Sequence, residues 1–314
     1  MQVFSIPMVT RFRGITVREG LVFEGAAGWS EFSPFLDYDL IESAPWLVAA
    51  IDSAEHEWPT PLRNVIPVNC TVPAVGPEAA AQVVRASHGC RTAKIKVADP
   101  GQSLADDIAR VEAVRDALGP GGKIRIDVNG LWSVDEAIAA IAVLDRMAGG
   151  LEYVEQPCRS VEELAAVRRK VNVPIAADES IRRAADPMRV VELDAADIAV
   201  LKVQPLGGVH ACLRIAEQIG IPVVVSSALE TSIGLAAGLA LAAALPELPY
   251  ACGLATTSLL TADVVAHSLV PVDGALPVGR TVIDPGRLAA VAADDETTAR
   301  WTARFDKIRK DLKL

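Results

Sequence analysis

Cysteine, histidine and aromatic residues are scarce in this chain of 314 residues, and their scarcity argues against several protein classes. There are five cysteines, four histidines and only 4% aromatic residues. The cysteines are odd in number and form no Cys-x-x-Cys pair, so neither a disulfide framework nor a structural zinc site is expected. They are Cys70, Cys90, Cys158, Cys212 and Cys252. We expect free thiols in a reducing cytoplasm.

Signals for membranes and nucleic acids are missing as well. Met1 is not followed by the basic and apolar regions of a signal peptide, so none is expected. The longest apolar run, 233–245, is too short and too rich in glycine and alanine for a membrane span, and it predicts a buried helix. The formal net charge of −10 argues against nucleic-acid or anionic-membrane partners, but not against an acidic substrate in a local basic pocket. The oligomeric state has no signal in the sequence, which is compatible with a monomer.

Hydrophobic residues, by contrast, make up 51% of the chain, and they begin in two successive patterns. Residues 1–34 alternate between apolar and polar with glycines at the turns, which predicts an antiparallel meander of about three strands. Residues 39–57 have the spacing of an amphipathic helix. We therefore predict an N-terminal α+β capping domain over residues 1–64.

A strand–helix alternation starts at Ile66 and continues through most of the chain. Predicted strands lie at 66–73, 91–97, 123–128, 150–155, 174–178, 197–203, 222–227 and 250–253. Predicted helices lie at 77–88, 103–118, 133–147, 160–171, 187–193, 208–219 and 231–245. This order describes an α/β fold, a modified (β/α)7β TIM barrel over residues 65–255. An open doubly wound sheet is the alternative, but no Gly-x-Gly-x-x-Gly follows the first strand. The segment 256–314, with a helix at 296–312, is expected to pack back on the cap.

Three successive strands of this barrel end at an acidic residue, at Asp127, Glu155 and Asp178. Taken singly, these residues are explained as a turn residue, a solvated loop acid and a helix cap. Together they would lie at the carboxyl end of the barrel, where active sites form and where converging carboxylates repel each other. A hard divalent cation removes that repulsion and prefers oxygen ligands. The trio therefore predicts a metal site.

Lysines stand in two barrel strands that are otherwise apolar. Lys94 and Lys96 alternate with Ile95, so both ammonium groups point into the barrel if Ile95 packs under the outer helices. Lys202 is likewise a lysine within an otherwise apolar strand, strand six. A buried lysine is unfavourable by on the order of several kcal/mol without a counter-charge, and the acidic trio supplies one. A substrate bound at the metal would lie between lysines of strands two and six.

Such an arrangement suits the removal of a proton next to a carboxylate. A carboxylate held by the cation has an acidified α-proton, and the charges of the metal and of an ammonium group stabilise the resulting enediolate. Lys94, as a neighbouring cation, would turn Lys96 into a base at physiological pH.

These residues, in this order, resemble the enolase superfamily and its muconate-lactonising subgroup. The matching features are Lys-x-Lys on strand two, Asp, Glu and Asp on strands three to five, and Lys on strand six, within a resemblance that covers nearly the whole chain. Within the subgroup, the chain is most similar to the o-succinylbenzoate synthase family, the dehydratases of menaquinone synthesis. The weaker features that point there lie at 125–130, 226–232, 253–256 and 262–264.

The resemblance implies a specific reaction and specific roles. It implies that the acidic trio binds Mg²⁺, for which Mn²⁺ can substitute. It implies that Lys96 abstracts the α-proton and then assists hydroxide departure from the same face. Lys202 would stabilise the enediolate from the other side of the ring, and Lys94 would touch the carboxylate. The implied substrate is 2-succinyl-6-hydroxy-2,4-cyclohexadiene-1-carboxylate, and the implied products are o-succinylbenzoate and water.

Further substrate contacts are expected near the strand ends. The candidates, beside Lys94, are Arg125, Asn129, Ser226, Ser227 and Gly253. The two serines either cap the following helix or bind a carboxylate, and both interpretations stay open. Arg125 shares the strand parity of Asp127, so it either faces the ligand shell or forms an ion pair with another acid. Residues 10–13 are placed at the barrel mouth as a hypothesis.

The main rival function is an N-acylamino acid racemase, in which the same two lysines exchange a proton across the α-carbon. Dipeptide epimerases carry an Asp-x-Asp pair after strand eight, which residues 251–257 lack. Mandelate-type dehydratases need a late histidine base, and none of His56, His88, His210 and His267 is placed for it. An amidohydrolase would need His-x-His on its first strand. A catalytically inactive barrel is disfavoured by the complete set of lysines and acids.

Overall fold

The computed structural model describes residues 1–183 and 187–313. Its N-terminal part is an antiparallel sheet followed by a helix, as predicted. The elements are β1 (Gln2–Phe12), β2 (Ile15–Gly25), β3 (Gly28–Phe32) and α1 (Leu40–Glu55). The strands pair in chain order. Arg13 and Gly14 form the turn between β1 and β2 at φ 50° and 79°, and two positive φ angles are the geometry of a tight two-residue hairpin.

Seven parallel strands form the wall of the barrel. In sheet order they are β5 (Cys70–Val72), β6 (Thr92–Lys96), β7 (Lys123–Asp127), β8 (Leu151–Glu155), β9 (Ile175–Ala177), β10 (Ile198–Leu201) and β11 (Val223–Val225). In place of a regular eighth strand, Cys252 and Gly253 make parallel bridges to Val68 and Ser226, which joins the two edges of the sheet. The predicted (β/α)7β barrel is confirmed, with its eighth strand reduced to these two bridges.

Helices follow the barrel strands and cover the outer face. They are α2 (Pro77–Arg85), α3 (Leu104–Leu118), α4 (Val134–Ala148), α5 (Val161–Arg168), α6 (Glu179–Arg182), α7 (Arg189–Glu192), α8 (Val209–Ile219) and α9 (Ser232–Ala244). Helices α3, α4 and α5 start at Ser103, Ser133 and Ser160, each in a capping box with an acid three residues later. The predicted helix 187–193 is the shorter α7, and the short helix α6 was not predicted. Residues 184–186 lie outside the described residues.

The C-terminal segment packs back on the N-terminal sheet, as expected. After a 3₁₀ turn at Thr257–Leu259, its elements are β12 (Ala275–Pro277), α10 (Pro285–Ala290) and α11 (Asp295–Leu312). Trp301 and Phe305 of α11 meet the ring of Phe32 edge-on, at centroid distances of 6.0 and 5.8 Å. The predicted strand 66–73 is split into β4 (Val65–Pro67), which pairs with β12, and the barrel strand β5. The domain boundaries near residues 64 and 255 stay a prediction.

Two further expectations concern the core. All five cysteines are buried and carry free thiols. The apolar run 233–245 forms the nearly fully buried helix α9. Across residues 1–183 and 187–313, none of the helices has the length and hydrophobicity that crossing a membrane requires.

Candidate active site

The three acidic residues meet at the carboxyl ends of adjacent barrel strands. Asp127 and Glu155 are the last residues of β7 and β8 and are partners in the strand register, and Asp178 directly follows β9. All three side chains are buried, with exposed fractions of 0 or 1%. Since neighbouring parallel strands end at the same edge of the sheet, their positions in the sequence place the three carboxylates at the same end of the barrel.

Two lysines of β6 point into the barrel and contact two of these acids. The Nζ atom of Lys94 donates hydrogen bonds to both carboxylate oxygens of Glu155 at 3.0 Å and lies 3.4 Å from Oδ2 of Asp127. The Nζ atom of Lys96 donates to Asp127 and, at 2.7 Å, to Oδ1 of Asn129. The alternation predicted for this strand therefore places both ammonium groups beside the acidic trio.

The third acid binds Lys202 and a fourth cation, Arg182, which the sequence did not reveal. Lys202 Nζ donates to Oδ2 of Asp178 at 2.6 Å, and Arg182 Nε donates to Oδ1 at 2.9 Å. Arg182 also donates to Glu179 at 2.6 Å and to the hydroxyl of Tyr38 in the cap. Burial raises the pKa of Asp178, but the two cations outweigh burial and hold it well below its usual range. Four-residue spacing from Asp178 on α6 is the signal that would have located Arg182.

Burial and ion pairing shift the other pKa values in different directions. Burial raises the pKa of Asp127, but Lys96 and Lys94 outweigh burial and hold that pKa below its usual range. Burial, together with repulsion from Asp127, raises the pKa of Glu155 to about 7. Burial lowers the pKa of Lys94, but attraction to Glu155 and Asp127 more than offsets it and raises the value overall. The site is therefore a cluster of coupled charges.

The chemistry of the donor set fits a hard divalent cation. Carboxylate oxygens are the ligands that Mg²⁺ prefers, and three buried carboxylates share one end of the barrel. In the described part of the chain, however, no group of three or more acidic, cysteine or histidine side chains lies close enough together to hold a metal ion. The ion pairs explain this, because ammonium groups lie against each carboxylate, with Lys94 between Glu155 and Asp127. The metal site at Asp127, Glu155 and Asp178 thus stays a prediction.

The charge cluster borders a cavity at the barrel mouth that contains four more of the predicted residues. Asn129, Ser226, Ser227 and Gly253 line it, together with Lys94, Lys96 and Lys202. Asn129 has a left-handed backbone with φ 52°, which asparagine tolerates better than most residues. The free volume of the cavity is about 50 Å³, which holds a few water molecules.

The two serines face this cavity and do not cap helix α9. The N-cap of α9 is Thr231, while the Ser227 hydroxyl lies 2.7 Å from the hydroxyl of Thr256. Ser226 lies against Gly253, where a Cβ atom would approach the serine Oγ to 2.5 Å. Of the two interpretations of the serines, the structure favours the one that leaves their hydroxyls at the barrel mouth.

Arg125 lies inside the barrel but does not line the cavity, which corrects its expected role as a substrate contact. Its Nε atom donates to Oε2 of Glu152 at 2.5 Å. Its Nη1 atom donates to Oδ1 of Asn69 at 3.1 Å and to the carbonyl of Ala251 at 2.7 Å. Strand parity gives the correct face, but Arg125 stands two residues before Asp127 and therefore one layer deeper in the barrel. The structure thus agrees with the second interpretation, in which Arg125 forms an ion pair with another acid.

Residues of the capping domain complete the cavity. The hypothesis for residues 10–13 holds for Phe12 and Arg13, since both line it. The Phe12 ring centroid is 5.3 Å from Nζ of Lys96, and the guanidinium of Arg13 lies 3.9 Å from the ring centroid of Phe35, a further lining residue. The lining residues that the sequence did not reveal are Thr71, Phe35, Arg182, Ala228, Leu229 and Thr256.

The candidate bases in the cavity are lysines and Asp127, and histidine is not among them. All four histidines are exposed, and none of them lines the cavity. The site therefore lacks the late histidine base of the mandelate-type alternative.

Comparison with known proteins agrees with this geometry. A family model described as "Enolase C-terminal domain-like" matches residues 78–286. A second model, described as "Enolase N-terminal domain-like", matches residues 3–54. The two matches correspond to the barrel and to the N-terminal sheet with its helix.

Two similar proteins share the name o-succinylbenzoate synthase. An o-succinylbenzoate synthase of Thermobifida fusca is 64% identical over 306 residues, which cover 98% of this chain and 95% of that protein. An o-succinylbenzoate synthase of Mycolicibacterium smegmatis is 56% identical over 304 residues, which cover 97% of this chain and 93% of that protein.

Among solved structures, a muconate lactonising enzyme of Pseudomonas fluorescens gives a TM-score of 0.78 at 22% identity, covering 93% of this chain and 97% of that one. The L-Ala-D/L-Glu epimerase of Bacillus subtilis gives 0.76 at 23%, covering 90% and 95%. At these identities the two structures establish the fold alone.

Proposed function

The chain belongs to the o-succinylbenzoate synthases, lyases of the enolase superfamily, and from this premise we propose how its own residues carry out the reaction. The reaction is the dehydration of 2-succinyl-6-hydroxy-2,4-cyclohexadiene-1-carboxylate to o-succinylbenzoate in menaquinone synthesis. One observation carries the proposal, the position of Lys96 and Lys202. Strands β7, β8 and β9 separate β6, which ends at Lys96, from β10, which Lys202 follows. A ring between them would have an ammonium group on each side.

Lys96 serves first as the base and then as the acid. With Nζ of Lys96 unprotonated at the start, the C–H bond next to the carboxylate breaks and its proton moves to that nitrogen. The C–O bond to the ring hydroxyl then breaks, and the hydroxide takes that proton and leaves as water. The hydrogen bond from Nζ to Asn129 supports this role, because it holds the lysine head at the cavity. Use of one lysine for both transfers makes the elimination syn.

Lys202 and Lys94 contribute positive charge. Lys202 faces the ring from the side opposite Lys96, where its charge stabilises the negative charge that spreads over the substrate when the proton leaves. A cation–π contact with the ring is compatible with this position. Lys94 lines the cavity next to Lys96 and would contact the substrate carboxylate.

Asp127, Glu155 and Asp178 would hold a divalent cation. Mg²⁺, for which Mn²⁺ can substitute, supplies positive charge beside the substrate carboxylate when bound. The support is the set of buried carboxylate oxygens at one end of the barrel. Lys96 and Lys202 donate to two of these acids, so the lysines that act on the substrate lie directly beside the proposed ligands.

Replacement of the two lysines tests the proposal. We expect Lys96→Ala to lower kcat by about 10²- to 10⁴-fold, the usual contribution of a positioned acid or base. We expect Lys202→Ala to lower it by about 10²- to 10³-fold, the usual contribution of an electrostatic stabiliser. Circular dichroism and Mg²⁺ binding should be unchanged. Lys307→Ala is the matched control, because Lys307 is exposed and pairs with Asp311 on helix α11 in the cap. Turnover at the wild-type rate in either active-site variant would contradict the two-lysine mechanism.

An N-acylamino acid racemase is the second candidate, because lysines on two sides of an α-carbon suit proton exchange. We expect kcat/KM for the cyclohexadiene acid to exceed that for N-succinyl amino acids measured with the same preparation. A larger kcat/KM for the amino acids would overturn the preferred substrate. It would leave the roles of the lysines intact.

The surroundings in which the enzyme acts are also part of the proposal. Five free thiols support a reducing cytoplasm. The net charge of −10 argues against nucleic-acid or anionic-membrane partners, while the lysines that line the cavity suit a small carboxylate.

A further inference from the structure

The loop between β11 and α9, residues 226–231, forms one wall of the cavity. Four consecutive residues, 226–229, line it. Leu229 has φ 65°, a left-handed conformation that residues other than glycine keep only when their surroundings hold it. The backbone N–H of Ala228 donates to Oε2 of Glu230 at 2.6 Å, which ties the loop to itself. Something beyond the loop must fix the two carbonyl groups at 228 and 229.

Arg18, on strand β2 of the capping domain, binds both of these carbonyls. Its Nε atom donates to the carbonyl of Leu229 at 3.0 Å, and its Nη2 atom donates to that of Ala228 at 3.2 Å. Nη2 also donates to the hydroxyl of Ser33 at 2.9 Å and to the Ser33 carbonyl. The guanidinium lies 4.7 Å from the ring centroid of Phe35, which lines the same cavity. One buried side chain therefore contacts two parts of the cavity wall.

The partners of Arg18 indicate that its hydrogen bonds position neighbouring groups and do not pair its charge. Every hydrogen bond that the structure gives this guanidinium ends on a backbone carbonyl or on the Ser33 hydroxyl. The acids Glu31 and Glu230 compensate its charge through space. Neutralisation of charge alone would not direct the donors to the carbonyls of residues 228 and 229. The planar fork of an arginine can do so, because it presents several donors in fixed directions.

We propose that Arg18 is a positioning residue for the dehydration: from the capping domain it fixes the carbonyls of Ala228 and Leu229 and thereby sets the place of Ser226 and Ser227 in the substrate cavity. This inference rests on the proposed function, since it concerns the same cavity. Arg18 itself does not line the cavity, so it acts through the loop.

Two variants separate the geometry of Arg18 from its charge. Arg18→Lys keeps a positive charge facing Glu31 and Glu230 but lacks the fork that reaches both carbonyls. Arg18→Met removes the charge and all donors. Arg63→Met is the matched control, because Arg63 donates to three backbone carbonyls at the other end of α9, remote from the cavity. Those carbonyls belong to Ala242, Leu245 and Pro246, at 2.7, 2.6 and 3.0 Å.

The experiment measures steady-state kinetics on the full chain and, by calorimetry, the affinity for the product o-succinylbenzoate. We expect Arg18→Lys to raise KM and the product Kd about tenfold with kcat within about threefold of wild type, and Arg18→Met to raise both further. Arg63→Met should lower the melting temperature and leave KM and the product Kd unchanged.

A purely structural role gives a different result. If Arg18→Lys and Arg18→Met lower the melting temperature as Arg63→Met does, with wild-type KM and product Kd, the proposal is overturned. If neither Arg18 variant folds, Ser33→Ala decides, because it removes one acceptor of Nη2 and keeps the charge; an unchanged product Kd then overturns the proposal. Product affinity does not depend on turnover. A failure of the lysine mechanism would therefore appear in kcat of the lysine variants and not in this measurement.

Discussion

Lys94, Lys96 and Lys202 each donate a hydrogen bond to a different member of the acidic trio, so the charge of the trio is balanced residue by residue. Three buried carboxylates without partners would repel each other strongly. Here each carboxylate has an ammonium group within hydrogen-bonding distance. The chain therefore carries enough positive charge to keep this end of the barrel folded before a divalent cation binds.

Removal of the metal tests this balance. We expect EDTA to abolish turnover, because the substrate carboxylate would lose the proposed cation, while the midpoint of thermal unfolding falls by no more than about 3 °C. Lys94→Met, which leaves Glu155 without its ammonium partner, should make unfolding depend strongly on added Mg²⁺. The measurements are turnover and circular dichroism melts with and without EDTA. A large loss of stability in the wild-type chain on chelation would contradict the proposed balance.

The close approach of Gly253 and Ser226 allows a second prediction at the level of single residues. A Cβ atom at position 253 would meet the Oγ atom of Ser226 at 2.5 Å and its Cβ atom at 3.2 Å, so Gly253→Ala must displace the serine. We expect KM to rise about fivefold or more with kcat little changed, because overpacking of this size costs about 1–3 kcal/mol and falls on the cavity wall. Gly121→Ala is the control, since a Cβ atom there would meet the guanidinium of Arg91 at an ordinary contact distance of 3.8 Å and the backbone is ordinary. Equal KM values for both variants would count against Ser226 as a substrate contact.

Helix α9 is completed by an element from the other domain. The helix is almost entirely apolar and has no acid in its first turn. Oε2 of Glu31, next to the end of β3, accepts hydrogen bonds from the backbone N–H groups of Thr231 at 3.0 Å and Gly234 at 3.2 Å. An anion at a helix N-terminus satisfies free N–H groups and interacts favourably with the helix dipole. The cap thus supplies the acid that this barrel helix lacks.

The protonation of Glu31 makes this contact depend on pH. Burial raises the pKa of Glu31 from 4.5 to about 7, against the opposing effect of Arg18. Between these two values the folded chain holds a proton that the unfolded chain has lost, so this group's contribution to stability falls as the pH rises from 4.5 to about 7. We expect Glu31→Gln to remove that part of the pH dependence of the free energy of unfolding, up to about 3 kcal/mol. Urea unfolding between about pH 4.5 and 8 measures it.

The control for this prediction is Glu217→Gln on helix α8, where the side chain is exposed. It should leave the slope of stability against pH as in the wild-type chain. Identical slopes for Glu31→Gln and the wild type would show that Glu31 titrates alike in the folded and unfolded chain.

For the molecule as a whole, the two ends of the chain share one core. Trp301 of α11 is 1% exposed, meets Phe32 edge-on, and donates from Nε1 to Glu19 at 2.9 Å. The same capping domain carries Phe12 and Arg13 to the cavity. The C-terminal helix therefore stabilises the sheet that closes the active site.

Truncation of Trp301 tests this coupling. We expect Trp301→Ala to lower the free energy of unfolding by about 3–5 kcal/mol, the usual effect of removing a large buried aromatic side chain. Far from the unfolding transition, kcat should stay within about threefold of wild type, because Trp301 does not line the cavity. Trp132→Ala, at a half-buried site on the barrel, should cost less. Equal losses of stability in urea unfolding would argue against a shared core at Trp301.

The sequence by itself determined the features that depend on position along a strand. Asp127, Glu155 and Lys96 were predicted at the barrel mouth because strand ends, side-chain alternation and the order of strands in a barrel are local rules. The barrel, the antiparallel cap and the return of the C-terminal helix were predicted from the same periodicities. Residues that stand at a strand end and break its apolar pattern need no long-range information to be noticed.

Tertiary structure decided the features that depend on distances between elements far apart in the chain. Alternation gave the face of Arg125 but not its partner, because the acid that it binds belongs to a neighbouring strand. Arg18 reaches Leu229 across 211 positions, and Glu31 reaches Thr231 across 200. These contacts exist only once the cap docks on the barrel. The packing of two folded surfaces produces no periodic pattern of residues in the sequence of either domain, so sequence periodicity cannot predict it.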